Sequence, residues 1–228
     1  NRRLVKKLIL CFVFSAFLTG NLFAVVLYSL DFSKAENGNA EKWFENNDFD
    51  FRLDADDFDL SFENNALILK NEKDNNGLMF KQVKIENVKR LRIEWGVNKY
   101  PKGIDWEKGM TRDAIMVLIS FGTKKIDSGS FVVPNVPYFI GYFLGEKEIE
   151  GKAYKGQYFQ KGGRYVCQPC GVPAGETVVT EVNIEEQFKQ FFDKGKMPDI
   201  SAVAIESDTR DLKEASEAFI KKIEFLSE

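Results

Sequence analysis

DFDFRL (residues 48–53) and FDLSF (residues 58–62), joined by DADD (residues 54–57), decide the fold of this 228-residue chain. Apolar and polar residues alternate in both runs. Phe49, Phe51 and Leu53 fall on one side of the first, and Phe58, Leu60 and Phe62 on one side of the second. A period of two is that of a strand with one dry face and one wet face. The acidic DADD segment is turn-like. The same signature runs onward through residues 66–70, 78–85, 91–98, 114–122, 138–144, 163–167, 178–183, 201–206 and 218–226. Asn75, Asn76 and Gly77 signal a turn between two of these strands. One stretch has helical spacing: Ile184, Phe188, Phe191 and Phe192 share a face, and Lys194-Gly195 ends the run. Residues 147–163 are rich in Gly and Lys and read as a surface loop. Many short strands broken by regular turns predict an all-β, jelly-roll-like antiparallel β-sandwich with one short helix at about residues 184–193.

The first thirty residues set the compartment. Arg2, Arg3, Lys6 and Lys7 precede an uncharged run from Leu8 to Leu30. The basic start, the apolar core LILCFVFSAFL (residues 8–18) and the small Ala24 read as a signal peptide over residues 1–24. An uncleaved inner-membrane anchor is the second reading, since the run is long enough on paper to cross a bilayer. VVLYSLDF (residues 25–32) is β-branched and aromatic, which suits a first strand better than a membrane helix. The expected organisation is therefore a removable leader and a single domain over residues 25–228, periplasmic or secreted. Membrane contact is expected only during export or through an uncleaved anchor.

Composition excludes several chemistries. The chain carries a net charge of −3 and no histidine. Without the four cations of the leader, −3 becomes −7. An acidic domain argues against nucleic acid and against electrostatic docking on anionic lipid. The absence of histidine removes Ser-His-Asp and Cys-His catalysis and His-ligated zinc. No cofactor or metal is implied. The 21 phenylalanines fit a large aromatic core.

The C-terminal half resembles a known family. SAVAIESDTRDLKEASEAFIKKIEFL (residues 201–226) is similar to the ending of the bacterial domain of unknown function 3047 family: a hydrophobic strand, a Ser-Asp-Thr-Asp-like loop, an alanine-bearing segment and a last alternating strand. Ser207, Asp208, Thr209 and Asp211 occupy the loop positions. ALILKNEKDNNGLMFKQVKI (residues 66–85) resembles the family's central hairpin. LRIEWGV (residues 91–97) resembles its Trp-bearing strand, and AIMVLISF (residues 114–121) the strand after an acidic, Gly-bearing loop. Two positions depart from the pattern. Asp113 stands alone, after Arg112, where paired aspartates are usual, and Arg210 interrupts the acidic loop. The resemblance spans about residues 66–225. It implies an exported β-sandwich and no known reaction.

Four groups of residues are candidates for chemistry. Cys167 and Cys170 are spaced C-x-P-C. Pro169, Gly171 and Pro173 disfavour the helix that a redox-active pair needs, so a small-loop disulfide is the leading reading, with free thiols and a redox pair behind it. Asp54, Asp56, Asp57 and Asp59 lack the order of a calcium loop and read as a solvated turn. Glu206 and Asp208 share one face of a strand. With Glu94 as partner, Glu206 is the weak candidate for paired-carboxylate glycoside hydrolysis. The plainer reading is that Asp208 caps its own loop by accepting a backbone amide two residues on. Aromatic rings that stack on sugars form the last group. Trp106 sits among charges in PKGIDWEKG and is expected to be exposed, whereas Trp95 is expected to be buried. Trp106, Trp95, Asp208 and Asp113 are thus the candidate ligand-binding residues. The leading expectation is a non-catalytic module that binds a glycan or another envelope component. The alternatives are a polysaccharide hydrolase and a purely structural envelope protein.

Overall fold

A computed structural model describes residues 24–228, apart from Lys73 and Lys213. Of the expected leader, residues 1–24, all but Ala24 lie outside the described residues. The strands are β1 (Val26–Asp31), β2 (Gly38–Asn39), β3 (Asp50–Leu53), β4 (Asp59–Glu63), β5 (Ala66–Asn71), β6 (Asn76–Ile85), β7 (Arg90–Lys99) and β8 (Asp113–Ile126). They continue with β9 (Val136–Gly145), β10 (Ala153–Tyr154), β11 (Gly163–Cys170), β12 (Val178–Asn183), β13 (Ile200–Asp208) and β14 (Ser216–Leu226). Helix α1 spans Glu41–Asn46 and α2 spans Ile184–Phe192. Among the described residues no helix is long and apolar enough to cross a membrane.

Two sheets face each other as an all-β sandwich. The first runs β12-β7-β14-β5-β4-β2. Its long strand β14 is shared end to end on one edge: β5 pairs with Ser216–Ile220, and β1 with Lys222–Leu226. The second runs β10-β11-β9-β8-β13-β6-β3. Every pairing is antiparallel except β9 with β11. A parallel neighbour needs a crossover, and residues 146–162 supply it.

Alternation sends Leu91, Ile93, Trp95 and Val97 inward from one sheet. Ile115, Val117, Ile119 and Phe121 point inward from the other, and all are buried in one core. Helix α2 closes one side of this core. Asn183 caps it by accepting from the Glu186 amide at 3.0 Å, and Asp193 ends it with φ 52°. Its Phe188 packs on Phe121, ring centres 4.8 Å apart. Helix α1, which local patterning did not single out, brings Trp43 and Phe44 against Phe32, Phe49 and Phe62.

Three local expectations are corrected. Leu53 does not join the dry face of its strand. It is 67% exposed with φ 57°, because the chain turns out of the sheet there into a 3-10 turn at Ala55–Asp57. Residues 66–85 are not a hairpin, since β5 and β6 belong to different sheets, and Asn76 and Gly77 are not turn residues but the first two of β6, paired with Asp208 and Ser207. A Cβ on Gly77 would run into the Ala55 backbone, so glycine allows the 3-10 turn to sit directly on β6. Residues 147–163 are not wholly loop: they contain β10, and Tyr154 is buried.

Candidate functional site

The last residues of β13 meet the first residue of β8 at one end of the second sheet, where Asp208 stands opposite Asp113 and Glu206 opposite Met116. An irregularity in the ladder between Glu206 and Asp208 lets three carboxyl groups converge on the outer face of this sheet. Ser207, between them, points the other way. Its hydroxyl accepts from Asn71 Nδ2 at 3.1 Å and lies 3.4 Å from Ser216 Oγ.

The three acids are held differently. Asp208, almost fully buried, receives Arg210 in a forked pair, Nε at 3.0 Å and Nη2 at 2.7 Å. It also accepts the Arg210 backbone amide at 3.1 Å, and Arg112 Nε lies 3.5 Å away. Arg112 in turn reaches Asp211 at 2.8 Å and the Arg210 carbonyl at 2.9 Å. Asp113 is 2% exposed, and its Oδ1 has no hydrogen-bond partner. Burial, and then the charges of Glu206 and Asp208, hold the Asp113 carboxyl well above the usual carboxylate range. Glu206 is partly buried. Burial first and Asp208 second push it up to about 8, against a smaller downward pull from Arg210. Asp113 and Glu206 thus titrate as a pair in which ionising one opposes ionising the other.

Tyr165 of β11 flanks the acids. Its phenol is held above its usual range by burial and then by Glu206, Asp113 and Asp208, so the hydroxyl keeps its proton. Tyr165 belongs to an aromatic group on the same outer face, with Phe139 5.5 Å and Trp106 5.2 Å from it, centre to centre. Gly141 permits this layer, because a Cβ there would collide with Met116 Sδ.

Trp106 is placed otherwise than expected. It is 6% exposed and stacks on Phe143 at 4.6 Å, and its Nε1 donates to the Arg112 carbonyl at 2.9 Å. The flanking charges mislead because Trp106–Lys108 is a 3-10 turn. Asp105, Glu107 and Lys108 face water there while the indole turns under. Trp95 is buried between the sheets and donates to Thr180 Oγ1 at 2.8 Å. Glu94 lies on the outer face of the other sheet, 3.5 Å from Lys221. Glu94 and Glu206 therefore face away from each other across the sandwich. Cys167 and Cys170 are joined by a disulfide at the end of β11. Of the acidic turn, Asp54 accepts the Asn76 amide at 3.1 Å. Among the described residues no group of three or more acidic, His or Cys side chains is placed to hold a metal.

Asp113, Glu206 and Asp208 are thus brought together, with Arg112, Arg210 and Tyr165. Sequence reasoning did not single out Tyr165. Its only local signal was its place in a strand, because the neighbours across a sheet depend on strand order. The Ser-Asp-Thr-Asp loop serves the fold as well: the Thr209 amide donates to the Asn75 carbonyl at 2.9 Å, and the Asp211 amide to Asp74 Oδ1 at 2.8 Å.

Fold and site together define a two-sheet β-sandwich with a charged cluster on the outer face of one sheet. The chain belongs to the family described as "Protein of unknown function (DUF3047)", whose pattern matches residues 41–224. No curated protein matches it. Among solved structures it is similar to "BiXyn10A CBM1 APO", at 9% identity and TM-score 0.36, over 88% of this chain and 97% of that one. It is also similar to "Emp46p carbohydrate recognition domain (CRD), potassium-bound form", at 11% identity and TM-score 0.42, over 88% and 96%. Likenesses this distant carry no argument about fold or role.

Proposed function

We propose that this domain is an exported, non-catalytic binding module that takes a glycan or another hydroxyl-rich envelope component at the Asp113–Glu206 end of the second sheet. The observation that carries the reading is the free hydrogen-bonding capacity there. Asp113 Oδ1 is buried without a partner, and a buried polar atom left unpaired costs about 1–3 kcal/mol. Among the described residues Glu206 makes no hydrogen bond or ion pair within the chain, and near neutrality it is largely protonated. The half-buried Glu206, a carboxylic acid donor, and the protonated Tyr165 beside it suit the hydroxyls of a sugar, with the unpaired Asp113 buried behind them. Hydrolysis through Glu94 and Glu206 has no geometry to support it, because no single substrate bond can lie between opposite outer faces of the sandwich.

Retention on immobilised cell-wall polysaccharide and on a glycan array tests the reading. The wild-type chain is expected to bind, with Asp113→Asn and Glu206→Gln each weakening retention about tenfold or more, the value of one to two hydrogen bonds to an ionisable group. Failure of the folded wild-type chain to retain any polysaccharide overturns it and favours a structural envelope role.

A further inference from the structure

At the far end of β8 from Asp113, the β8–β9 connection projects from the sheet. Pairing of β8 with β13 stops at Phe121–Ile200, and its pairing with β9 skips from Phe121–Tyr138 to Ile126–Val136. Residues 122–135 therefore extend past the neighbouring strands. At the tip Phe131 is fully exposed and Val132 is 87% exposed. They are the two most exposed large apolar side chains among the described residues, and they are adjacent.

The tip is braced rather than slack. Ser128 Oγ donates to the Val133 carbonyl at 2.7 Å, and the Ser128 amide to Asn135 Oδ1 at 2.9 Å. Ser130 Oγ accepts the Val132 and Val133 amides, each at 3.2 Å. The next loop supports it from the side: the Phe159 amide donates to the Ser128 carbonyl at 2.9 Å, and Lys161 pairs with Asp127 at 2.7 Å. That loop also carries Tyr158, itself 38% exposed. On the stem, Lys124 and Lys125 are exposed and make no ion pair among the described residues.

We propose that this loop docks the domain on a lipid bilayer, with Phe131 and Val132 entering the acyl boundary and Tyr158, Lys124 and Lys125 at the headgroups. Two adjacent apolar side chains at an exposed loop tip give too little area for a stable protein interface, which needs about 800 Å² per partner. They suit a fluid apolar phase that closes around them. Rings with a polar end and lysines with long stems both favour the interfacial zone. The acidic charge of residues 25–228 argues against long-range attraction to anionic lipid, but screening confines electrostatics to about 8 Å, and within that reach the stem presents Lys124 and Lys125.

The full chain also carries the apolar stretch from Leu8 to Leu30, so the loop needs a local reporter. Phe131→Trp, with Val179→Trp on the outer face of the other sheet as control, is mixed with phosphatidylcholine–phosphatidylglycerol vesicles that carry acyl-chain bromines. The difference in emission between Phe131→Trp and the wild-type chain, which removes the signal of Trp43, Trp95 and Trp106, is expected to shift to shorter wavelength and to lose half or more of its intensity, while the same difference for the control is unmoved. An unchanged Phe131→Trp spectrum overturns the proposal, as does equal quenching of both variants. A shift that appears without vesicles and grows with protein concentration also overturns it, and assigns the tip to self-association.

Discussion

A carboxyl kept protonated by its surroundings makes stability depend on pH in a definite direction. Glu206 binds its proton up to about pH 8 in the folded chain, against an ordinary value of 4.5. Between these values the folded state holds more protons than the unfolded one, so stability falls as pH rises. The contribution is complete below 4.5 and gone above about 8. Glu206→Gln keeps the shape and removes the titration. Thermal melts are expected to show the wild type losing Tm across this window and the variant losing less, with the two alike at pH 4. At pH 8.5 the variant is expected to be more stable by about 1 kcal/mol or more, or roughly 2–4 °C for a domain of this size. Parallel melting curves for the two proteins would mean that Glu206 titrates like a solvated side chain. The pattern around Glu206 was legible in part. Glu206 and Asp208 share a face because strand side chains alternate, and Asp208 caps its own loop as an Asp in such a turn does. That Asp113 completes the cluster was not legible, because the register of β8 against β13 is set by long-range packing.

At the scale of elements, close approach explains what alternation could not. Gly77 and Gly141 both lie within strands, yet their neighbours differ. A Cβ at Gly77 meets the Ala55 backbone, which cannot step aside, whereas one at Gly141 meets the Met116 side chain, which can rotate. Gly77→Ala is therefore expected to cost about 2–3 kcal/mol, near the upper part of the range for overpacking, and Gly141→Ala less than half of that. Chemical denaturation with equal m-values would check the order, and a larger loss at Gly141 would contradict it. Helix α2 was readable because a period near 3.6, an Asn cap and a closing Lys-Gly all agree. Its Phe188 is buried between Phe121 and Phe192. Phe188→Ala is expected to cost about 3–5 kcal/mol, read as a fall in Tm. Helix α1 escaped notice because its six residues are too few to show a period. Trp106 was misjudged for a related reason: in a 3-10 turn, neighbouring residues point to different sides, and charged neighbours say little about the ring between them.

For the whole molecule, the end of the apolar run near the N-terminus is sandwich. β1 is an integral part of the first sheet: it pairs with the second half of β14, Leu30 is buried, and Tyr28 packs on Phe225 at 6.1 Å. Val25, just before β1, and Ser227, just after β14, are tied as well, the Ser227 amide donating to the Val25 carbonyl at 3.0 Å. A leader removed after Ala24 leaves all of these contacts in place, whereas a cut after Asp31 strips a strand from β14 and uncovers its last apolar residues. A chain beginning at Val25 is therefore expected to melt within about 2 °C of the full chain. One beginning at Phe32 is expected to melt about 4–16 °C lower, the loss of roughly 2–4 kcal/mol from unburying a few large apolar side chains. N-terminal sequencing of the protein recovered from the cells that make it supplies the complementary measurement. A start near Val25 agrees with a leader that ends where the sandwich begins. An intact Arg2-Arg3 end would mean that the same sandwich hangs from a membrane anchor, with β1 following it directly.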